Sequence, residues 1–174
     1  MTVSKEGRMT SAYPRSRSRR PRAVSGLLLT LLICVVAGCS WPRDTSGSLD
    51  AAAGGTLRVG VSVNPPFTTD EKGDIGGSDA TLIRGYARSI GAVVRWQVGP
   101  ESVLADEMRN GGLDVIIGGL TSKSPWTDKM ALTRPYRTVT ARDGRSVKMV
   151  MGAPLGENAL LVSLEKYLAG HGAQ

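Results

Sequence analysis

The run Gly112-Leu113-Asp114-Val115-Ile116-Ile117-Gly118-Gly119-Leu120-Thr121 contains a stretch typical of a buried strand. Its centre, residues 113–117, is nearly continuously apolar, which predicts a strand covered on both faces, as in a parallel sheet. Thr121 and Ser122 follow just past the carboxyl end of this strand. Open α/β sheets bind ligands at that end, so both residues are candidate ligand contacts, and an ordinary polar loop is the alternative.

Two strand–helix units precede this run. Residues 57–61 and 93–98 are rich in β-branched residues and predict strands, whereas the apolar spacing within 79–90 and 101–110 predicts helices. Ser78 is placed to cap the first helix and Gly91 to end it. The order strand, helix, strand, helix, strand predicts an α/β fold with a mostly parallel sheet flanked by helices.

The pattern after Gly119 is looser. Residues 130–136 predict a short extended segment, 140–146 a charged turn, and 147–151 a fourth strand. A last helix is predicted from Pro154 onward, with an apolar stripe at helical spacing. The stripe consists of Leu160, Leu161, Leu164 and Leu168. We expect this C-terminal strand and helix to return onto the sheet.

The N-terminus has the organisation of a secretory signal. Seven basic residues and one acid within the first 22 positions precede an apolar run over 23–38, which is shorter than the roughly 20 residues of a membrane-spanning helix. Val36-Ala37-Gly38-Cys39 resembles the bacterial lipobox. We therefore predict a cleaved signal peptide over 1–38, a lipid on Cys39 that attaches the protein to the membrane, a flexible tether over 39–55 and a folded lobe over 56–174. An uncleaved anchor helix and an ordinary buried cysteine are the alternatives.

Charge and cysteine content exclude several classes of function. The net charge of +7 falls to about +1 once the leader is removed, because 15 basic and 14 acidic residues remain, and this argues against nucleic-acid binding. Cys34 lies in the leader and Cys39 is predicted to be acylated, so no disulfide is expected. A single histidine and no cysteine cluster argue against a transition-metal site, and no cofactor is predicted.

Four segments, in order, resemble the extracellular solute-binding proteins of ABC transporters, the polar-amino-acid type called family 3. These are the opening strand 57–61 with Pro65-Pro66-Phe67, the helix entry Gly76-Gly77-Ser78-Asp79, the run 112–121 and Thr133-Arg134-Pro135-Tyr136. The resemblance implies a periplasmic-binding-protein-like lobe, export from the cytoplasm and a small polar ligand.

Two departures from the family pattern affect the predicted function. The resemblance implies a second lobe of roughly 90 residues, about the size of a small domain. Here only 137–146 separate the exit segment from the returning strand, so we interpret the chain as a single lobe. Relatives also place an arginine that clamps the ligand carboxylate where this chain has Trp126, with Lys123 and Lys129 nearby.

The candidate ligand-binding residues each have a structural alternative. Phe67, the only phenylalanine, is either a platform for a ligand or a packed loop residue. Asp79 is either a ligand contact or an acid favoured at a helix start. Trp126 either stacks on a ligand or covers exposed surface. The remaining candidates are Thr121, Ser122 and Lys123.

The leading hypothesis is a lipid-anchored solute-binding protein associated with transport, with an ABC permease and a second copy of the chain as candidate partners. The alternative is an interaction lipoprotein that contacts a membrane or envelope partner without binding a solute. An enzyme is the third hypothesis, and it is disfavoured because no nucleophile with a base and no catalytic carboxylate pair can be identified in the sequence.

Overall fold

The computed structural model describes residues 1–2, 43–141 and 143–172. The predicted signal sequence beyond residue 2, the lipobox and Cys39 lie outside the described residues. The chain divides into two compact units, 1–40 and 41–174, and every element below belongs to the second.

The second unit alternates strands and helices in its first half and has short strands in its second. Its helices are α1 (Ser48–Ala52), α2 (Ser78–Ser89), α3 (Glu101–Arg109) and α4 (Asn158–His171). Its strands are β1 (Thr56–Val61), β2 (Thr69–Glu71), β3 (Asp74–Gly76), β4 (Val93–Val98), β5 (Val115–Ile117), β6 (Ala131–Leu132), β7 (Arg137–Thr140), β8 (Ser146–Met149) and β9 (Gly152–Ala153).

A five-stranded sheet forms the centre of the fold, in the order β4-β1-β5-β9-β6. Strand β1 pairs in parallel with β4 and β5, and the short strand β9 runs antiparallel to β5 and β6. Strands β2 and β3 form a separate hairpin, as do β7 and β8. The predicted α/β fold with a mostly parallel sheet is therefore confirmed.

Apolar layers cover both faces of the sheet. The larger layer contains Leu57, Val59 and Val61 of β1 together with the buried faces of α2 and α4, and the smaller one packs α3 against Ile116. Gly60 faces the smaller layer, where a β-carbon would lie 2.8 Å from Leu113 Cδ1. The run that predicted a doubly covered strand is buried as expected, although its paired part is confined to Val115–Ile117.

The segment before β1 differs from the prediction of a flexible tether. Asp44 accepts hydrogen bonds from the backbone N–H of Leu49 (2.7 Å) and of Leu160 (3.0 Å), so its carboxylate joins this segment to the start of α4. Glu157, which is 3% exposed, accepts the N–H groups of Ser46 (2.7 Å) and Ser48 (2.9 Å). The lobe thus begins near residue 43 and not at 56, because two acidic side chains satisfy the unpaired N–H groups of two helix starts.

The structure also corrects three details of the predicted elements. Of the predicted strand 147–151, only 147–149 form a strand, as part of β8, which pairs with β7 and not with the central sheet, whereas the sheet strand β9 begins at Gly152. In the predicted leucine stripe of α4, three residues are fully buried but Leu161 is only half-buried. Helix α2 starts at Ser78 itself, and its N-cap is Gly77 (φ 95°), so Ser78 is not the cap. Gly91 (φ 70°) follows the end of α2 as predicted.

Candidate functional site

The candidate site lies where β1 and β5 end side by side, which is the edge that the sequence predicted. Ser62 donates its N–H to the Ile117 carbonyl (2.9 Å), so the segments that leave these two parallel strands start together. Asn64 Nδ2 donates to the Gly118 carbonyl (3.0 Å), and Thr68 Oγ1 donates to the Ser62 carbonyl (2.5 Å). These bonds fix the loop 62–68 against the turn 118–119.

Phe67 lies over the turn that follows β5. A β-carbon at Gly119 would lie 3.0 Å from Phe67 Cδ2 and would also meet the Asn64 side chain. Gly119 has φ 74° and Gly118 has φ 140°, so both positions favour glycine by backbone conformation as well as by space. The half-buried ring packs against the larger apolar layer and leaves one part of its surface accessible at the rim.

Asp79 is a structural residue of this edge and has no exposed surface to offer a ligand. Its carboxylate accepts the Tyr136 hydroxyl (2.7 Å) and the Gly119 backbone N–H (3.3 Å). Burial raises the pKa of the Asp79 carboxyl, while the hydrogen bonds from Tyr136, Gly119 and Gly118 lower it. Burial and the adjacent Asp79 carboxylate also raise the pKa of Tyr136. Asp79 thus links the first turn of α2 to the exit segment and to the turn after β5.

Thr121, Ser122 and Lys123 lie beside the β7–β8 hairpin. Ser122 donates its N–H to the Lys148 carbonyl (3.0 Å), and Val150 donates to the Leu120 carbonyl (2.9 Å), so this loop pairs with the end of β8. A cavity of about 200 Å³ opens between the two segments. It is lined by Thr121, Ser122, Lys123, Arg145, Ser146, Val147 and Lys148.

The β7–β8 hairpin follows directly after the exit segment Thr133-Arg134-Pro135-Tyr136. Residues 137–140 and 146–149 pair directly, from Arg137 opposite Met149 to Thr140 opposite Ser146, and a short turn closes the hairpin. The charged segment predicted as a turn therefore contributes a wall of the cavity. The sequence pointed to Thr121, Ser122 and Lys123 as candidates but not to Arg145 and Lys148. These two residues reach the cavity only because loop 120–122 pairs with the end of β8, and no local sequence pattern predicts that pairing.

Trp126 does not line this cavity. Its indole Nε1 donates to Glu101 Oε2 (3.2 Å), and the half-buried ring packs against the smaller apolar layer. The Lys129 ammonium lies 5.0 Å from the ring centroid. Trp126 thus covers the start of α3.

A sequence profile of the bacterial extracellular solute-binding proteins, family 3, matches residues 57–168, which is more than half of the chain. The chain belongs to this family. The observed fold agrees with membership of this family. It is one lobe of a periplasmic binding protein, with a five-stranded sheet and the returning helix α4.

Solved structures support the same fold for this family 3 lobe. The arginine-bound form of domain 1 from TmArgBP is 24% identical, with a TM-score of 0.61 over 70% of this chain and 97% of that chain. The ancestral amino acid-binding protein AncCDT-1, a precursor of cyclohexadienyl dehydratase, is 15% identical, with a TM-score of 0.62 over 71% and 92%. The L-cystine solute receptor of Neisseria gonorrhoeae is 12% identical, with a TM-score of 0.59 over 70% and 89%.

No curated protein sequence matches the chain. Within the described residues, no helix of this family 3 member has the length and apolar character needed to cross a membrane.

Proposed function

We propose that this protein is a lipid-anchored, extracytoplasmic solute-binding protein of one lobe, associated with ABC-type transport of amino acids or similar small polar solutes. The observation that carries the proposal is the rim at the carboxyl ends of β1 and β5. There Phe67 lies over Gly119, and residues 121–123 border a cavity that opens to solvent. Strand ends of open α/β sheets are the usual ligand-binding edge.

A single lobe is sufficient for the proposed binding. Domain 1 of TmArgBP, described as an arginine-bound form, supports the view that one lobe of this fold can hold a solute. In our protein the β7–β8 hairpin supplies a second, short wall beside Thr121–Lys123. The proposed solute therefore rests between the rim and the hairpin and not between two lobes.

We expect the affinity to be low. Good small-molecule sites bury about 70–90% of their ligand, and a rim with one short opposing wall buries less. The arginine clamp of relatives is replaced by Trp126, whose indole is bound to Glu101. Loss of a charge-assisted hydrogen bond costs about 1.5–3 kcal/mol, which is roughly ten- to a hundredfold in affinity.

Binding, and not catalysis, is the activity that we propose. The family consists of solute-binding proteins. The carboxylate that the sequence placed at this edge, Asp79, is fully buried and accepts bonds from Tyr136 and Gly119. An acid–base catalyst must reach its substrate within hydrogen-bond distance, and Asp79 in this arrangement stabilises the loop instead.

Anchoring by Cys39 would place the proposed site outside the cell membrane. The proposal rests on the charged and apolar leader and on Val36-Ala37-Gly38-Cys39. Because the lobe begins near residue 43, where Asp44 bonds to the start of α4, only about four residues would separate the lipid from the folded lobe. We therefore infer a lobe held close to the membrane, where a permease partner would also be found.

Thermal unfolding of the purified protein with each standard amino acid, at concentrations up to about 10 mM, tests the proposal. A ligand present at tenfold its Kd stabilises by about 1.4 kcal/mol, which raises Tm by roughly 4 °C for a lobe of this size. Phe67→Ala and Thr121→Ala should reduce this shift, whereas Trp126→Ala, which lies outside the cavity, should retain it. If no solute shifts Tm in the unmodified protein, the solute-binding proposal is wrong and an interaction lipoprotein is favoured.

A further inference from the structure

The cavity beside the hairpin has an unusual charge. Three of its lining side chains are cationic, Lys123, Arg145 and Lys148, and no acidic residue lines it. Arg145 is paired with exposed Asp143 at 2.5 Å, just outside the lining. Within the described part of the chain, Lys123 and Lys148 have no ion-pair partner. The described residues therefore leave the cavity with two uncompensated positive charges.

Backbone pairing brings together the two segments that carry these lysines. The loop 120–122 pairs with 148–150 through the bonds from Ser122 N to Lys148 O (3.0 Å) and from Val150 N to Leu120 O (2.9 Å). Lys123 donates its N–H to Thr121 Oγ1 (3.3 Å), which sets the direction of the chain after the rim. The two lysines are consequently carried by neighbouring, hydrogen-bonded segments, and Thr121 and Ser122 line the same opening.

The volume limits what the cavity can hold. About 200 Å³ is smaller than the roughly 300–1,000 Å³ of ordinary small-molecule sites, so it suits a charged head group and not a whole large solute. Hydroxyl groups and ammonium groups are hydrogen-bond donors that suit carboxylate oxygens. A guanidinium or ammonium group of a solute would be repelled by the same charges.

We propose that this cavity is a carboxylate subsite, built by the hairpin in place of the missing arginine clamp, which makes the protein selective for small solutes of net negative charge such as acidic amino acids and dicarboxylates. The inference rests on the proposed function, because the remainder of the solute must contact the rim formed by Phe67 and Gly119. It assigns Arg145 and Lys148 to ligand binding.

Isothermal titration of the purified protein against a charge series tests the inference. The series is glutamate, succinate, glutamine, arginine and inorganic phosphate, each at low and high salt. We expect glutamate and succinate to bind at least about fivefold more tightly than glutamine or arginine, and this preference to decrease at high salt. Tighter binding of glutamine or arginine would overturn the inference while leaving the proposed function intact. Equal binding of phosphate would also overturn it, since the site would then not recognise carboxylates. No binding of any solute would instead refute the proposed function.

Charge-reversal variants test whether the lysines of this cavity cause the preference for anionic solutes. Lys148→Glu should weaken glutamate binding about two- to thirtyfold. An exposed ion pair contributes about 0.2–1 kcal/mol, and reversing the charge both removes this attraction and adds a repulsion of similar size. Lys166→Glu on helix α4 is the matched control, because Lys166 is also exposed and does not line this cavity. Equal losses in the two variants would overturn the assignment. Lys123→Glu, at a second exposed position of the same cavity, should reproduce the loss if the inference is correct.

Discussion

Replacing Tyr136 by phenylalanine should destabilise the lobe in a pH-dependent way. The Tyr136 hydroxyl donates to buried Asp79 at 2.7 Å and thereby joins the exit segment to the start of α2. A hydrogen bond to a charged group contributes about 1.5–3 kcal/mol, whereas one between neutral groups contributes about 0.5–1.5 kcal/mol. We therefore expect Tyr136→Phe to cost about 2 kcal/mol where Asp79 is ionised and about 1 kcal/mol where it is protonated, so that the cost increases with pH.

The sign of this pH dependence comes from the Asp79 carboxyl. Its pKa is raised in the folded state, chiefly by burial, so its contribution to stability is present below its ordinary pKa and is lost as pH rises through the folded value. The hydrogen bond from the Tyr136 hydroxyl lowers the pKa of Asp79 and so reduces the loss of folding stability as pH rises. Without the hydroxyl, the folded pKa should rise further and the loss of stability between pH 4 and pH 8 should become larger.

Urea denaturation at pH 4, 6 and 8 measures the free energy of unfolding that Tyr136→Phe loses, with Tyr86→Phe as the matched control. Tyr86 is also buried, but its hydroxyl bonds to the neutral Ser163 Oγ at 3.1 Å. Its loss should cost about 1 kcal/mol at every pH. If Tyr136→Phe shows the same cost at pH 4 and pH 8, or no larger cost than Tyr86→Phe, the account of Asp79 is refuted.

Three further predictions concern the two ends of the chain. Cys39→Ala should abolish incorporation of a fatty-acid analogue in metabolic labelling, and retained label would contradict the lipoprotein assignment. Leu164→Ala should cost about 2–5 kcal/mol in urea denaturation because Leu164 is fully buried, whereas the same change at half-buried Leu161 should cost less, and equal costs would contradict the packing of α4. A chain that starts at Thr56 should unfold at a lower temperature than one that starts at residue 43, because Glu157 then loses the N–H groups that it binds. An unchanged Tm would contradict the conclusion that residues 43–55 stabilise the lobe.

Local patterns predicted the parallel strands of the central sheet well. Residues 93–98 form a strand with the predicted bounds, and the apolar run ending at Ile117 is buried between two layers. Each of these elements is determined by apolar periodicity within a short window, and parallel pairing follows from the order of the elements. The edge where the candidate site lies could be predicted for the same reason.

Features that depend on distant polar partners could not be predicted. Residues 43–55 lack an apolar stripe, and they are held by Asp44 and Glu157, whose partners lie more than 100 positions away in sequence. The side-chain bond between Asp79 and Tyr136 joins residues 57 positions apart. Pairing of β7 with β8 likewise moved the predicted fourth strand away from the sheet and brought Lys148 to the site.

The most direct test of the central claim is mapping of backbone amide chemical shifts during titration with glutamate. We predict saturable changes at 119–123 and 145–148 on a monomer, with a Kd no tighter than about 0.1 mM because only one short wall opposes the rim. Changes concentrated instead at the cavity lined by Arg58 and Leu113, which contains the start of β1, would contradict the location of the site. A micromolar Kd on a demonstrated monomer would contradict the claim that a lone lobe binds its solute weakly.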